Sequence, residues 1–101
     1  MINDLLNTLQ GQTIYILEIK TSYNTHHNTL TMKLLFNNQE HILKFINPSR
    51  ISLNCISFPL SITGFEIINN SDKGWDDLSL YLVRDFEDNQ LSFYCEKIEI
   101  V

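Results

Sequence analysis

Residues 29–45 constrain the fold most. Leu30, Met32, Leu34 and Phe36 alternate with Thr29, Thr31, Lys33 and Leu35, and after Asn37-Asn38 the residues His41, Leu43 and Phe45 alternate with Glu40, Ile42 and Lys44. Alternation with a period of two belongs to a strand with one buried face. Asparagine tolerates positive φ, so Asn37-Asn38 suits the two-residue type I′ turn of a hairpin. That turn sets Phe36 opposite Gln39, Leu34 opposite His41, Met32 opposite Leu43 and Leu30 opposite Phe45. The register then collects the apolar residues of both strands on one face.

A hairpin with one apolar face must be covered by something. Ile2, Leu5, Leu6 and Leu9 fall at i, i+3, i+4 and i+7, one stripe of a short helix. Asn3 or Asp4 can cap its start and Gly11 suits its end. Eight or so residues do not hold a helix alone, so a sheet must support it.

More strands follow from the same reading. Residues 13–20 are rich in Ile, Leu and Tyr, with Tyr15, Leu17 and Ile19 on one face and Ile14, Ile16, Glu18 and Lys20 on the other. Residues 21–28 are polar and loop-like. Asn47-Pro48 reads as a turn, residues 50–57 as a strand with Ile51, Leu53 and Cys55 inward, and residues 62–68 as a strand with Phe65 and Ile67 in the core. Residues 69–74 form a polar turn. Residues 78–86 set Leu78, Leu80, Leu82 and Phe86 against Ser79, Tyr81, Val83 and Asp85. Residues 87–90 make a four-residue loop. In the last strand Leu91, Phe93 and Cys95 share one parity and Ile98 and Ile100 the other, which predicts a bulge near Glu96-Lys97. Short connections make antiparallel neighbours. The expected fold is one α+β domain over residues 1–101: a short N-terminal helix packed on a curved, mostly antiparallel sheet of about seven strands.

Charge is segregated. Residues 64–101 hold nine Asp/Glu against three Lys/Arg, whereas residues 1–63 hold three acids and four bases, so the net charge of −5 comes from the C-terminal third. An acidic balance argues against nucleic-acid or anionic-membrane binding and admits a basic partner. The first residues lack a basic region and a long apolar run, and no stretch approaches the ~18 apolar residues of a membrane span. A cytoplasmic location follows as an expectation, with Cys55 and Cys95 reduced. Carboxylates can imitate the phosphates that a nuclease site receives, and they accelerate association with a basic surface. The candidate partner-binding residues are Trp75, Asp76, Asp77, Asp85, Glu87 and Asp88, with the aromatic as an anchor. A solubilising surface explains the same acid without a partner.

No catalytic or metal-binding pattern stands out. His26 and His27 are adjacent, so on a strand they would point to opposite faces. His41 lies on the apolar parity opposite Leu34, and neither Cys has a local nucleophile signature. Gly11, Gly64 and Gly74 are isolated, so no phosphate loop is present. No catalytic residue, metal or cofactor is expected.

The segments Gly64–Ile67 (GFEI), Gly74-Trp75, Arg84–Asp88 (RDFED) and Ser92–Glu96 (SFYCE) resemble the YxiG-like family of small bacterial proteins. The likeness covers the last third of the chain and, before that, only the element order. Members of this kind occur near polymorphic toxin genes, so the resemblance implies an immunity-type protein that neutralises a toxin domain by binding. It transfers no binding residue. The alternative is a small-ligand-binding or structural interaction domain, in which Tyr15, Tyr23, Tyr81, Tyr94 and His41 line a pocket.

Overall fold

A computed structural model describes residues 8–9, 12–23, 28–54, 59–69 and 81–101. Among these residues its elements are nine strands: β1 (Ile14–Tyr23), β2 (Asn28–Phe36), β3 (Gln39–Ile46), β4 (Ser49–Leu53), β5 (Leu60–Ile62), β6 (Phe65–Asn69), β7 (Tyr81–Asp85), β8 (Leu91–Cys95) and β9 (Lys97–Ile100). They form a five-stranded sheet, β5-β1-β2-β3-β9, and a four-stranded sheet, β4-β8-β7-β6. Every strand pairing is antiparallel.

Among the described residues the architecture is therefore nearly all β, with two antiparallel sheets, and the expected α+β fold of one helix on one curved sheet is incorrect. Thr8 and Leu9 have helical backbone and Leu9 is buried in the core, but the rest of the stretch that reads as a helix lies outside the described residues. The apolar face of the first sheet is covered by the second sheet. The strand count rises because the chain bends at three corners and changes sheet at each. β3 passes to β4 through Asn47-Pro48, β5 to β6 through Thr63-Gly64, and β8 to β9 through Glu96. With each bent pair taken as one strand, the hydrogen-bonded order runs β1, β2, β3/β4, β9/β8, β7, β6/β5 and returns to β1. That is a closed, flattened barrel, which leaves few free edges.

The predicted hairpin is present in its predicted register, from Phe36 opposite Gln39 to Leu30 opposite Phe45. Asn37 and Asn38 both have positive φ, 53° and 62°, as a type I′ turn requires. The irregularity expected near Glu96-Lys97 is the β8–β9 corner. Glu96 N donates to Ile46 O at 2.9 Å, which carries the ladder across the bend. Asn47, with φ 52°, holds the opposite side of this corner. Its backbone N donates to Asn28 O (2.8 Å), its Oδ1 accepts from Asn28 N (3.2 Å) and its Nδ2 donates to Glu96 Oε2 (3.4 Å).

Three predicted faces are corrected. In β1, Ile14 and Ile16 are buried while Tyr15 is 45% exposed. A register shift between Ile16 and Glu18 inserts Leu17 as an extra residue, and the inward parity passes to Ile19, which packs on the core. In β4, Ile51 and Leu53 are exposed; among the described residues β4 has β8 as its one neighbour, and its register slips between Ser49 and Ser52 around Arg50 at φ 52°. Cys55 lies outside the described residues. In β7 the inward residues are Val83 and Asp85, whereas Phe86 is exposed in the following turn.

One buried cluster draws from both sheets. Leu30, Met32, Leu34, Leu43 and Phe45 come from the predicted hairpin, and Phe65, Val83, Leu91, Phe93 and Cys95 face them from the second sheet. Phe45 and Phe93 meet between the sheets edge to face, with ring centroids 5.0 Å apart and planes at 79°. This is the favourable geometry for two quadrupolar rings.

Candidate functional site

The β7–β8 turn, residues 86–90, is where the acid of the last third reaches the described structure. Its first organiser is Asp85, the last residue of β7. Val83 and Asp85 share the inward parity, so Asp85 is drawn in and is 1% exposed. Its carboxylate is used up within the turn. Oδ1 accepts from the backbone N of Glu87 (3.2 Å) and of Asp88 (3.3 Å), and Oδ2 accepts from the backbone N of Gln90 (3.3 Å) and from Gln90 Nε2 (3.5 Å). Asn89, with φ 53°, donates its backbone N to Asp85 O at 3.1 Å. An aspartate that accepts from the amides two and three residues ahead is the usual nucleus of such a turn.

The turn then clamps its neighbours. Phe86 N donates to Gly64 O (2.9 Å), Thr63 Oγ1 to Glu87 Oε2 (2.6 Å) and Gln90 Nε2 to Ser61 O (3.3 Å). On the other side Asn54 donates its N to Gln90 O (2.8 Å) and its Nδ2 to Asn89 O (3.0 Å). Gly64 is buried against this turn. A Cβ there would lie 2.8 Å from Glu87 N and 2.9 Å from Asp85 Oδ1.

Of the six candidate partner-binding residues, the structure therefore shows two at the surface. Glu87 and Asp88 are exposed on a rigid turn, Asp85 is a structural carboxylate beneath them, and Trp75, Asp76 and Asp77 lie outside the described residues. Other carboxylates have cations nearby: Glu18 with Lys20 (3.5 Å), Glu40 with Lys33 (3.4 Å), Glu66 with Arg84 (2.9 Å) and Glu99 with Lys97 (3.5 Å). Among the described residues Glu87 and Asp88 make no ion pair. Sequence reasoning missed the supporting group of Thr63, Gly64 and Gln90. The available signal was an Asp at a strand end, followed by an Asn that accepts positive φ.

A second feature lies at one end of the barrel. A surface depression of about 350 Å³ is formed by Thr21, Ser22 and Tyr23 at the end of β1, Asn28 and Thr29 at the start of β2, and Pro48 and Ile51 across the corner. Tyr23 is the one member of the predicted pocket set that reaches it. Tyr15 is on the outer face of β1, and Tyr81 packs against the core. Tyr94 lies under the Arg50 guanidinium, 5.4 Å from ring centroid to Cζ. His41 is half-buried opposite Leu34.

Cys95 is buried and free, and its pKa is pushed up to about 12 by burial, against a smaller lowering from a backbone hydrogen bond with Lys97. It is a neutral thiol near pH 7, without the thiolate that nucleophilic chemistry uses. His26 and His27 lie outside the described residues. Among the described residues no three His, Cys, Asp or Glu side chains are grouped to hold a metal ion, and no helix is long and apolar enough to cross a membrane. Comparison of the chain with protein-family models, with curated proteins and with solved structures finds no match in any of the three.

Proposed function

We propose that the protein is a cytoplasmic, immunity-type protein that neutralises a basic toxin domain by stoichiometric binding, not by turnover. The observation that carries this reading is the pair Glu87 and Asp88. They are exposed and make no ion pair among the described residues, on a turn held by Asp85, Thr63 and Gln90. A carboxylate held before binding, as Thr63 holds Glu87, loses little freedom when a basic surface docks, and the field of both acids steers the encounter. The resemblance of the last third to the YxiG-like family supports the same reading, and Trp75, Asp76 and Asp77 are the further residues proposed to meet the partner.

The test begins with recovery of the tagged chain from its source cells at low salt, followed by washes of rising salt. A toxin domain released as salt rises is the expected partner. Glu87→Lys with Asp88→Lys then weakens its binding at low salt by about tenfold or more and flattens the salt dependence. Asp85 is left intact in this experiment because it holds the turn. Unchanged affinity and unchanged salt dependence in the double variant would remove the acidic turn from the interface.

A further inference from the structure

We infer that the depression at the barrel end is a binding site for an uncharged, hydroxyl-rich ring, the chemistry of a sugar unit. The site is separate from the acidic turn and stands independently of the toxin reading. Four observations meet there. Its volume of about 350 Å³ falls within the range of small-ligand sites, roughly 300–1,000 Å³. Among the described residues its lining has no charged side chain.

The polar groups it does offer are of one kind. Thr21, Ser22 and Thr29 carry hydroxyls and Asn28 an amide, and each of these both donates and accepts. A ligand hydroxyl does the same, so the pairing works in either direction. Tyr23, Pro48 and Ile51 add apolar surface, and Tyr23 is 81% exposed, so its ring is accessible to a ligand. Such surfaces suit the C–H face of a sugar ring.

Thr29 supplies the most specific sign. It is 8% exposed, and among the described residues its hydroxyl has no hydrogen-bond partner. Buried polar groups are nearly always paired with protein or water, and a ligand hydroxyl can take the place of that water. Its backbone neighbours are already satisfied: Asn28 N and O are both bonded to Asn47, which also fixes the wall on that side.

The experiment is a titration of the ¹⁵N-labelled chain, followed by amide shifts, with glucose, N-acetylglucosamine and methyl glucoside as probes. Acetate and methylammonium serve as charged controls. Saturable shifts are expected at Ser22, Tyr23, Asn28, Thr29 and Ile51 with the sugars and not with the controls. Tyr23→Ala and Thr29→Val each raise Kd by about fivefold, the loss of one modest contact. Thr29→Val keeps shape and removes only the hydroxyl, and an unchanged melting temperature shows that the fold is intact. The inference is overturned by a silent titration with all three sugars, which would leave the hydroxyl to ordinary water. An equal response to the charged controls, or an affinity unmoved in both variants, overturns it as well.

Discussion

Replacing Asp85 should destabilise the fold although the residue belongs to an acidic turn at the surface. The carboxylate is 1% exposed and receives three backbone N–H groups at 3.2–3.3 Å and one side-chain amide at 3.5 Å. A hydrogen bond of this kind contributes about 1 kcal/mol net, and a buried donor stripped of its acceptor costs somewhat more. Water can replace the carboxylate at the exposed Glu87 and Asp88, which lowers the sum. Asp85→Ala is therefore expected to cost about 2–3 kcal/mol, and a domain of this size then loses about 10–20 °C in Tm. Asp85→Asn keeps one oxygen for Glu87 and Asp88 but turns an NH₂ toward the Gln90 donors, so its cost is about 1–2 kcal/mol. Asp88→Ala removes an exposed carboxylate with no side-chain partner among the described residues, and it should change stability by less than about 0.5 kcal/mol. Urea unfolding followed by circular dichroism measures all three, and amide exchange should quicken at Glu87, Asp88 and Gln90 in the Ala variant. The reasoning fails if Asp85→Ala falls within about 0.5 kcal/mol of the parent, or if Asn costs more than Ala.

Three further outcomes are expected. Gly64→Ala places a methyl 2.8 Å from Glu87 N and 2.9 Å from Asp85 Oδ1, so the turn must shift, at a cost of about 2 kcal/mol or more read from the same urea curves. Asn38→Gly keeps the positive φ of 62° and matches the preferred second position of a type I′ turn, so stability should hold or rise by up to about 1 kcal/mol, while Asn38→Val lowers it. Cys95 has a folded pKa of about 12 against an ordinary value of 9.0, so its neutral form is favoured by folding. That contribution is complete below pH 9 and declines as pH rises from 9 toward 12. Stability curves over this window should flatten in Cys95→Ala after its lower baseline is subtracted, and the folded thiol should resist iodoacetamide at pH 8 but react in urea.

Local chemistry was enough wherever a few adjacent residues decide the outcome. The Asn37-Asn38 turn, the hairpin register and the break near Glu96 were legible because turn dihedrals and a period-two pattern act over short range. So was the inward set Leu91, Phe93 and Cys95, which is buried as its alternation implies. Charge and proximity in sequence mark out five of the six candidate partner residues, and neither property reports direction. Asp85 follows the inward parity of Val83 because β7 must bury one face, and it then becomes useful as an acceptor for turn amides.

Tertiary packing decided the rest. Residues 62–68 read as one strand, yet Ile62 pairs with β1 and Phe65 with β7, so the chain bends at Thr63-Gly64 to serve two sheets. No window of the sequence contains both partners. In β1 the extra residue Leu17 moves the inward face from Ile16 to Ile19, a choice set by the ladder with β2. Whether an apolar sheet face is covered by a helix or by a second sheet depends on which distant strands close around it. Burial is a property of that closed arrangement, and the linear order of residues does not specify it.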